Sequence, residues 1–121
     1  MPMFSRESDR VDHGPVLASE QDADGYTINF VTFKEKIDHA PLFKGLPGES
    51  CQCPHWGYVL EGRITFRYDD KEETYEAGDA FYAPAGHVPV ADAGTEYVQF
   101  SPSEELRQTS EAIQKNMQQM Q

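Results

Sequence analysis

The stretch Gly78–Gly86, "GDAFYAPAG", decides the fold. Two glycines and a proline bracket "DAFYA", which reads as a short strand reached from a turn. Proline fixes its own φ and glycine tolerates positive φ, so Pro84-Ala85-Gly86 forms a bend that aims the following strand inward. Working outward on the N-terminal side, Thr74 to Glu76 reads as another short strand and "DDKEE" as a turn. Before that, Gly57 to Tyr68, "GYVLEGRITFRY", is strand-like on both sides of Glu61-Gly62. On the C-terminal side, "AGHVPVADAGTEYVQFSP" holds two more short strands around Ala93-Gly94. Strands at this close spacing, with turn signals between them, predict an antiparallel sandwich or barrel.

Further out, Tyr26 to Phe33, "YTINFVTF", is rich in β-branched and aromatic residues and reads as a strand. "HAPLFKGLPGES" follows as a loop with two prolines and two glycines. Residues 1–25 are rich in Asp, Glu, Ser and Gly without clear periodicity, which predicts an N-terminal arm, loose or laid over the domain. The period changes after the last strand. Ser101-Pro102-Ser103-Glu104 fits an N-cap serine, a first-turn proline and a Glu three residues after the cap. Leu106, Ile113, Met117 and Met120 fall on roughly one helical stripe, so 102–121 is expected to be an amphipathic helix packed on the barrel or on a second subunit. The expected organisation is an arm over 1–25, a barrel over 26–101 and a helix over 102–121.

The length of 121 residues suits one domain with a single core. Lys and Arg number 10 against 21 Asp and Glu, a net charge of −11. Such a surface repels phosphates and anionic lipid, so neither nucleic acid nor a membrane is an expected partner. No apolar run is long enough to span a bilayer, and the polar start lacks an apolar signal segment. A cytoplasmic location follows as an expectation, with the two cysteines as thiols or metal ligands before a disulfide.

The segment from about Cys51 to Phe100 resembles a cupin, a small β-barrel built on two motifs. The second motif of that family has Gly, five residues, Pro, one residue, Gly; here Gly78, "DAFYA" and Pro84-Ala85-Gly86 fit it. The first ends in a Gly that follows a metal-binding Glu after six residues. Counting back from Gly62 over "WGYVLE" lands on His55. The short link between Gly62 and Gly78, with "YVLEG" and "AGD", is similar to that of small bacterial cupins. The resemblance implies an all-β jelly-roll barrel, a double-stranded β-helix, with Gly62 and Gly78 at strand corners.

The metal positions depart from the family pattern. Its two early histidines fall on Glu49 and Cys51, its Glu on His55, and its late histidine on Pro89, with His87 two residues before. The oxygenase or isomerase chemistry of the family therefore does not carry over. A coordinating set nonetheless remains. Residues two apart in a strand share a face, so Cys51, Cys53 and His55 are expected together, and His87 on the same side as the family's usual ligand. Two thiolates and two imidazoles suit a tetrahedral transition metal, zinc first and iron or nickel next. A straight strand separates the Cα atoms of Cys51 and His55 by about 13 Å, so one ion can bind both only if the chain bends near Pro54. Without that bend, Cys53, His55 and His87 make the better trio.

The bland readings concern the same residues. Free cysteines pack as small hydrophobes, and a histidine after a bend can simply cap the turn. His13 and His39 read as surface residues, His39 also as a weak second candidate. Glu49 reads as a solvated charge, and Glu61 as a corner residue in water. Trp56, Tyr58 and Leu60 alternate with the His55 face and are expected to pack between sheets, or under a dimer interface or the N-terminal strand. Phe81 and Tyr82 are expected in the core or a pocket wall. The sequence reading is a homodimeric, metal-binding barrel for a small polar organic molecule, with catalysis left open. Its alternative is a non-catalytic barrel that binds a small ligand or senses metal or redox state.

Overall fold

A computed structural model describes residues 11–12, 14, 16–43, 45–46 and 50–119. Ten strands run in chain order: β1 (Val11–Asp12), β2 (Val16–Ala23), β3 (Tyr26–Phe33), β4 (Ile37–Asp38), β5 (His55–Glu61), β6 (Arg63–Arg67), β7 (Glu72–Glu76), β8 (Ala80–Ala83), β9 (Val88–Ala91) and β10 (Glu96–Pro102). A 3-10 turn covers Ala40–Phe43, and a single helix, α1 (Ser103–Gln119), closes the described chain. The strands form two antiparallel sheets, one ordered β1-β2-β3-β10-β5-β8 and the other β4-β9-β6-β7. Their inner faces pack Phe33, Val59, Ile64, Phe66, Phe81 and Tyr97 into one core.

The alternation of burial along the strands follows from period-2 geometry. In β3, Thr27, Asn29, Val31 and Phe33 point inward. In β5 the inward residues include His55 and Val59, and in β10 they are Tyr97, Gln99 and Ser101. The corner between β5 and β6 is built on Gly62, at φ +77°, where a Cβ would lie 2.6 Å from the Thr95 Cα. Thr95 locks that corner, because its hydroxyl donates to the Arg63 carbonyl and accepts from the Arg63 N–H. Glu61 beside it is exposed, as the corner reading expects.

Three features differ from the sequence reading. Within the expected arm, Val16–Ala23 forms a full strand, paired with β3 from Val16–Phe33 to Ala23–Tyr26. "VLASEQDA" lacks alternation because β2 lies toward the edge of its sheet, where neither face is wholly buried. Residues 1–10 of that arm, with His13, Glu49 and Met120, lie outside the described residues. Second, β10 continues through Pro102, so Ser101 lies within a strand and does not cap the helix. Ser103 begins α1, its N–H donating to the Gly25 carbonyl and its hydroxyl meeting Thr27 Oγ1 at 2.7 Å. Third, Trp56 and Tyr58 are exposed and point away from the sheet-to-sheet core, and so does Tyr82 next to buried Phe81.

Helix α1 lies against the 3-10 turn and β10. Leu106 joins Phe43, Cys51 and Cys53 in a second buried cluster, with Ile113 packed against it. The inner face of α1 also buries Thr109 and Asn116. The Met117 side chain lies outside the described set.

Candidate metal centre

Cys51, His55 and His87 meet through backbone pairing. Cys51 and His87 form an isolated antiparallel bridge: the Cys51 N–H donates to the His87 carbonyl and the Gly86 N–H to the Cys51 carbonyl, each at 2.8 Å. The bend at Pro84-Ala85-Gly86, with Gly86 at φ +98°, turns the chain so that His87 faces back across that bridge. His55 opens β5, opposite Ala83 of β8, just before the bend. Residues 52–54 belong to no strand. The chain therefore bends ahead of His55, as Pro54 requires if Cys51 is to reach the imidazoles.

All three residues are buried, and one ligand atom from each lies within 4.8 Å of the others. Cys51 Sγ is 3.6 Å from His55 Nε2. The two imidazole centroids are 5.0 Å apart with planes at 60°. Each ring is oriented from behind. His55 Nδ1 lies 2.6 Å from Ser101 Oγ, and His87 Nδ1 lies 2.8 Å from the Pro84 carbonyl oxygen. A carbonyl only accepts, so His87 carries its proton on Nδ1 and a lone pair on Nε2. That Nε2 is buried and has no hydrogen-bond partner. Phe66 meets the His87 ring edge-on with centroids 5.3 Å apart, so the ring is held from the apolar side as well.

Burial sets the protonation of the cluster. Desolvation pushes His55 down to about 3, with the neighbouring His87 adding to the effect. It lowers His87 too, against the Pro84 hydrogen bond. Both imidazoles are thus neutral near pH 7, the form that coordinates a metal. Burial raises the Cys51 thiol, partly offset by its hydrogen bonds to the Cys53 carbonyl at 3.6 Å and to Thr109 Oγ1 at 3.9 Å.

Of the four expected ligands, Cys53 does not join this group. Its Sγ lies 3.5 Å from the Pro54 carbonyl and 3.9 Å from the Pro102 carbonyl, and burial pushes its thiol up to about 12. The shared face expected for Cys51 and Cys53 presumed a regular strand, and the chain is not a strand between them. His39 differs as well. It packs between Phe33 and Phe43, with Nδ1 3.0 Å from the Pro89 carbonyl, and desolvation lowers it to about 4. Ser101, which touches His55, was concealed in the sequence by its place in a helix-cap pattern. Thr109 carries no local signal, because only the docking of α1 brings it near Cys51.

Comparison with known proteins agrees with this architecture. Residues 47–89 match the model of the cupin domain family. The barrel has the cupin fold. A cupin described as RmlC-like, from Shewanella frigidimarina, superposes with a TM-score of 0.59 at 18% identity, over 83% of this chain and 88% of that one. A protein of unknown function from Rhizobium leguminosarum gives 0.60 at 17% identity, over 84% and 95%. KdgF from a Halomonas species gives 0.53 at 18% identity, over 82% and 90%. At such identities the likeness concerns the cupin fold alone. No curated protein matches the chain. Among the described residues, no helix is long and apolar enough to cross a membrane.

Proposed function

We propose that this cupin holds one divalent transition metal on Cys51, His55 and His87, with zinc the first choice and iron or nickel next. One observation carries the reading: His87 Nε2 is fully buried, bears a lone pair and has no partner. An orphaned buried acceptor costs about 1–3 kcal/mol, and a bound cation removes that cost. The separations suit the ion. Tetrahedral zinc, with sulfur at about 2.3 Å and imidazole nitrogen at about 2.0–2.1 Å, places those two atoms about 3.6 Å apart. The Sγ–Nε2 distance between Cys51 and His55 has that value.

Three protein ligands leave a fourth position, as in catalytic zinc sites. A metal bound there supplies Lewis acidity or an activated water to a small polar organic molecule entering the barrel. The chain's own groups fix the ligands: Ser101 orients His55, the Pro84 carbonyl fixes the His87 tautomer, and Thr109 borders the sulfur. The raised thiols of Cys51 and Cys53 weigh against redox sensing, because the thiolate is the reactive form. Free thiols fit a cytoplasmic location, and a charge of −11 argues against nucleic acid as partner. The exposed aromatic side chains favour a homodimer.

Elemental analysis of protein purified without added metal tests the reading. About one zinc, iron or nickel per chain is expected, falling to background in the double variant His55→Ala with His87→Ala. Equal metal content in both proteins would overturn the site.

A further inference from the structure

Asn29 Oδ1, like His87 Nε2, is a buried side-chain atom without a hydrogen-bond partner. Asn29 points inward from β3 and is only 8% exposed. Strand register sets its neighbours. Asn29 stands opposite Gln99 of β10, Gln99 opposite Gly57 of β5, and Gly57 opposite Phe81 of β8. Gln99 also points inward and is 9% exposed, so two carboxamides are neighbours on the inner wall. Two residues along the same strands come Ser101 of β10 and His55 of β5, which are in contact. The carboxamides therefore occupy the inward row next to the metal centre. The Phe81 ring lies over Gly57, where a Cβ would come within 2.4 Å of the Phe81 Cζ, so the row is apolar on that side.

We propose that Asn29 and Gln99 hold the hydroxyl groups of a small hydroxylated monocarboxylate whose carboxylate sits on the metal of Cys51, His55 and His87. The assignment rests on the metal reading above and names the class of molecule that the site takes. Charge sets one half of that class. A divalent ion on one thiolate and two neutral imidazoles keeps a net charge of +1. Among the described residues no Lys or Arg is buried. The interior thus matches one carboxylate, on the ion, and leaves any second anionic group without a counter-charge. The orphaned acceptor sets the other half. Asn29 Oδ1 requires a donor, so a ketone, ether or ester oxygen fails there and a hydroxyl fits. A hydroxyl also accepts, so it serves whichever end of either amide faces it.

Spacing bounds the size. Two steps along a strand and two strands across separate the Asn29 and His55 Cα atoms by about 12 Å. Both side chains leave the same face of the sheet, so the span between their ends is similar. A metal–oxygen bond takes about 2 Å of it and a hydrogen bond about 2.8 Å. About 7 Å then remains between the two outermost oxygens of the ligand, the reach of roughly four to six carbons.

Isothermal titration calorimetry on the zinc-loaded protein compares gluconate with hexanoate, two six-carbon monocarboxylates that differ in their hydroxyls. Gluconate is expected to bind at least about tenfold more tightly, because hexanoate leaves the buried amides unpaired. Asn29→Leu keeps the approximate shape of the side chain and removes its polar end. In that variant the preference for gluconate is expected to disappear while zinc content holds. Its apoprotein is expected to melt at a higher temperature than the parent, since an orphaned buried acceptor is gone. Gln99→Met repeats the loss of preference and carries the test if Asn29→Leu misfolds. Gluconate no tighter than hexanoate on the zinc-loaded parent overturns this inference and leaves the metal reading standing. So does a preference that survives in both variants, and a lower melting temperature for Asn29→Leu with the preference intact would make Asn29 a structural residue only. A parent protein that takes up no zinc overturns the metal reading and this inference with it.

Discussion

Ile64 and His87 are both completely buried, and their surroundings treat them differently. Ile64 lies among Val59, Phe66, Phe81 and Ala91, where every side chain gains by leaving water and none needs a partner. His87 lies where Phe66 meets the bridge to Cys51, and its ring brings a polar atom into that apolar wall without a protein partner. The first region is explained by packing alone. The second is stable only because the first overdetermines it, and its unsatisfied atom is an expense that folding by itself does not recover. A core of this kind specifies the barrel, whereas the cluster at its wall holds a polar atom that packing does not satisfy.

That contrast is sharpest in paired substitutions. His87→Ala is expected to abolish stoichiometric metal, checked by elemental analysis, while leaving the apoprotein's melting temperature nearly unchanged. An apoprotein that unfolds on this change would show that the ring serves packing. Ile64→Ala should do the reverse. It costs about 2–5 kcal/mol of stability in denaturant titration while metal stoichiometry holds in the folded protein. Ser101→Ala removes the group 2.6 Å behind His55 and should weaken metal affinity about 10–100-fold in chelator competition, with little loss of fold. An unchanged affinity would make the Ser101 contact structural only.

The smallest effect is graded with pH. His55 falls from an ordinary value near 6.5 to about 3 in the fold, and His87 is lowered as well. Below pH 6.5 the unfolded chain therefore binds protons that the folded chain refuses. The stability present above that pH is lost as pH falls, by up to about 1.4 kcal/mol per pH unit for each histidine. His39, lowered to about 4, adds to the slope. The metal-free double variant His55→Ala with His87→Ala should show a shallower decline between pH 6.5 and 4 than the metal-free parent. Identical slopes would mean that both imidazoles titrate normally.

Much of the barrel was legible because its corners are chemical. Gly62 and Gly78 take φ of +77° and +95°, and Gly86 follows Pro84 in the bend, so turn signals pointed to a sandwich or barrel and the resemblance to the cupin motifs narrowed it. Strand β2 was not legible, since it is held by pairing to β3 and not by a pattern of its own. The site was half legible. Strand periodicity put Cys51, Cys53 and His55 on one face, and the need for a bend near Pro54 was readable. Which thiol the bend would favour was not, because Cys51 is set by its bridge to His87, a contact between residues distant in sequence. Ser101 was hidden by a local motif that β10 overrides.

The central claim, that Cys51 and the two imidazoles share one ion, is tested most directly by substitution with cobalt(II). A thiolate bound to cobalt gives a charge-transfer band in the near ultraviolet, absent when only nitrogen and oxygen coordinate. The account predicts this band in the unmodified protein and in Cys53→Ser, and its disappearance in Cys51→Ser. A band that survives Cys51→Ser, or one that vanishes with Cys53→Ser instead, would contradict it.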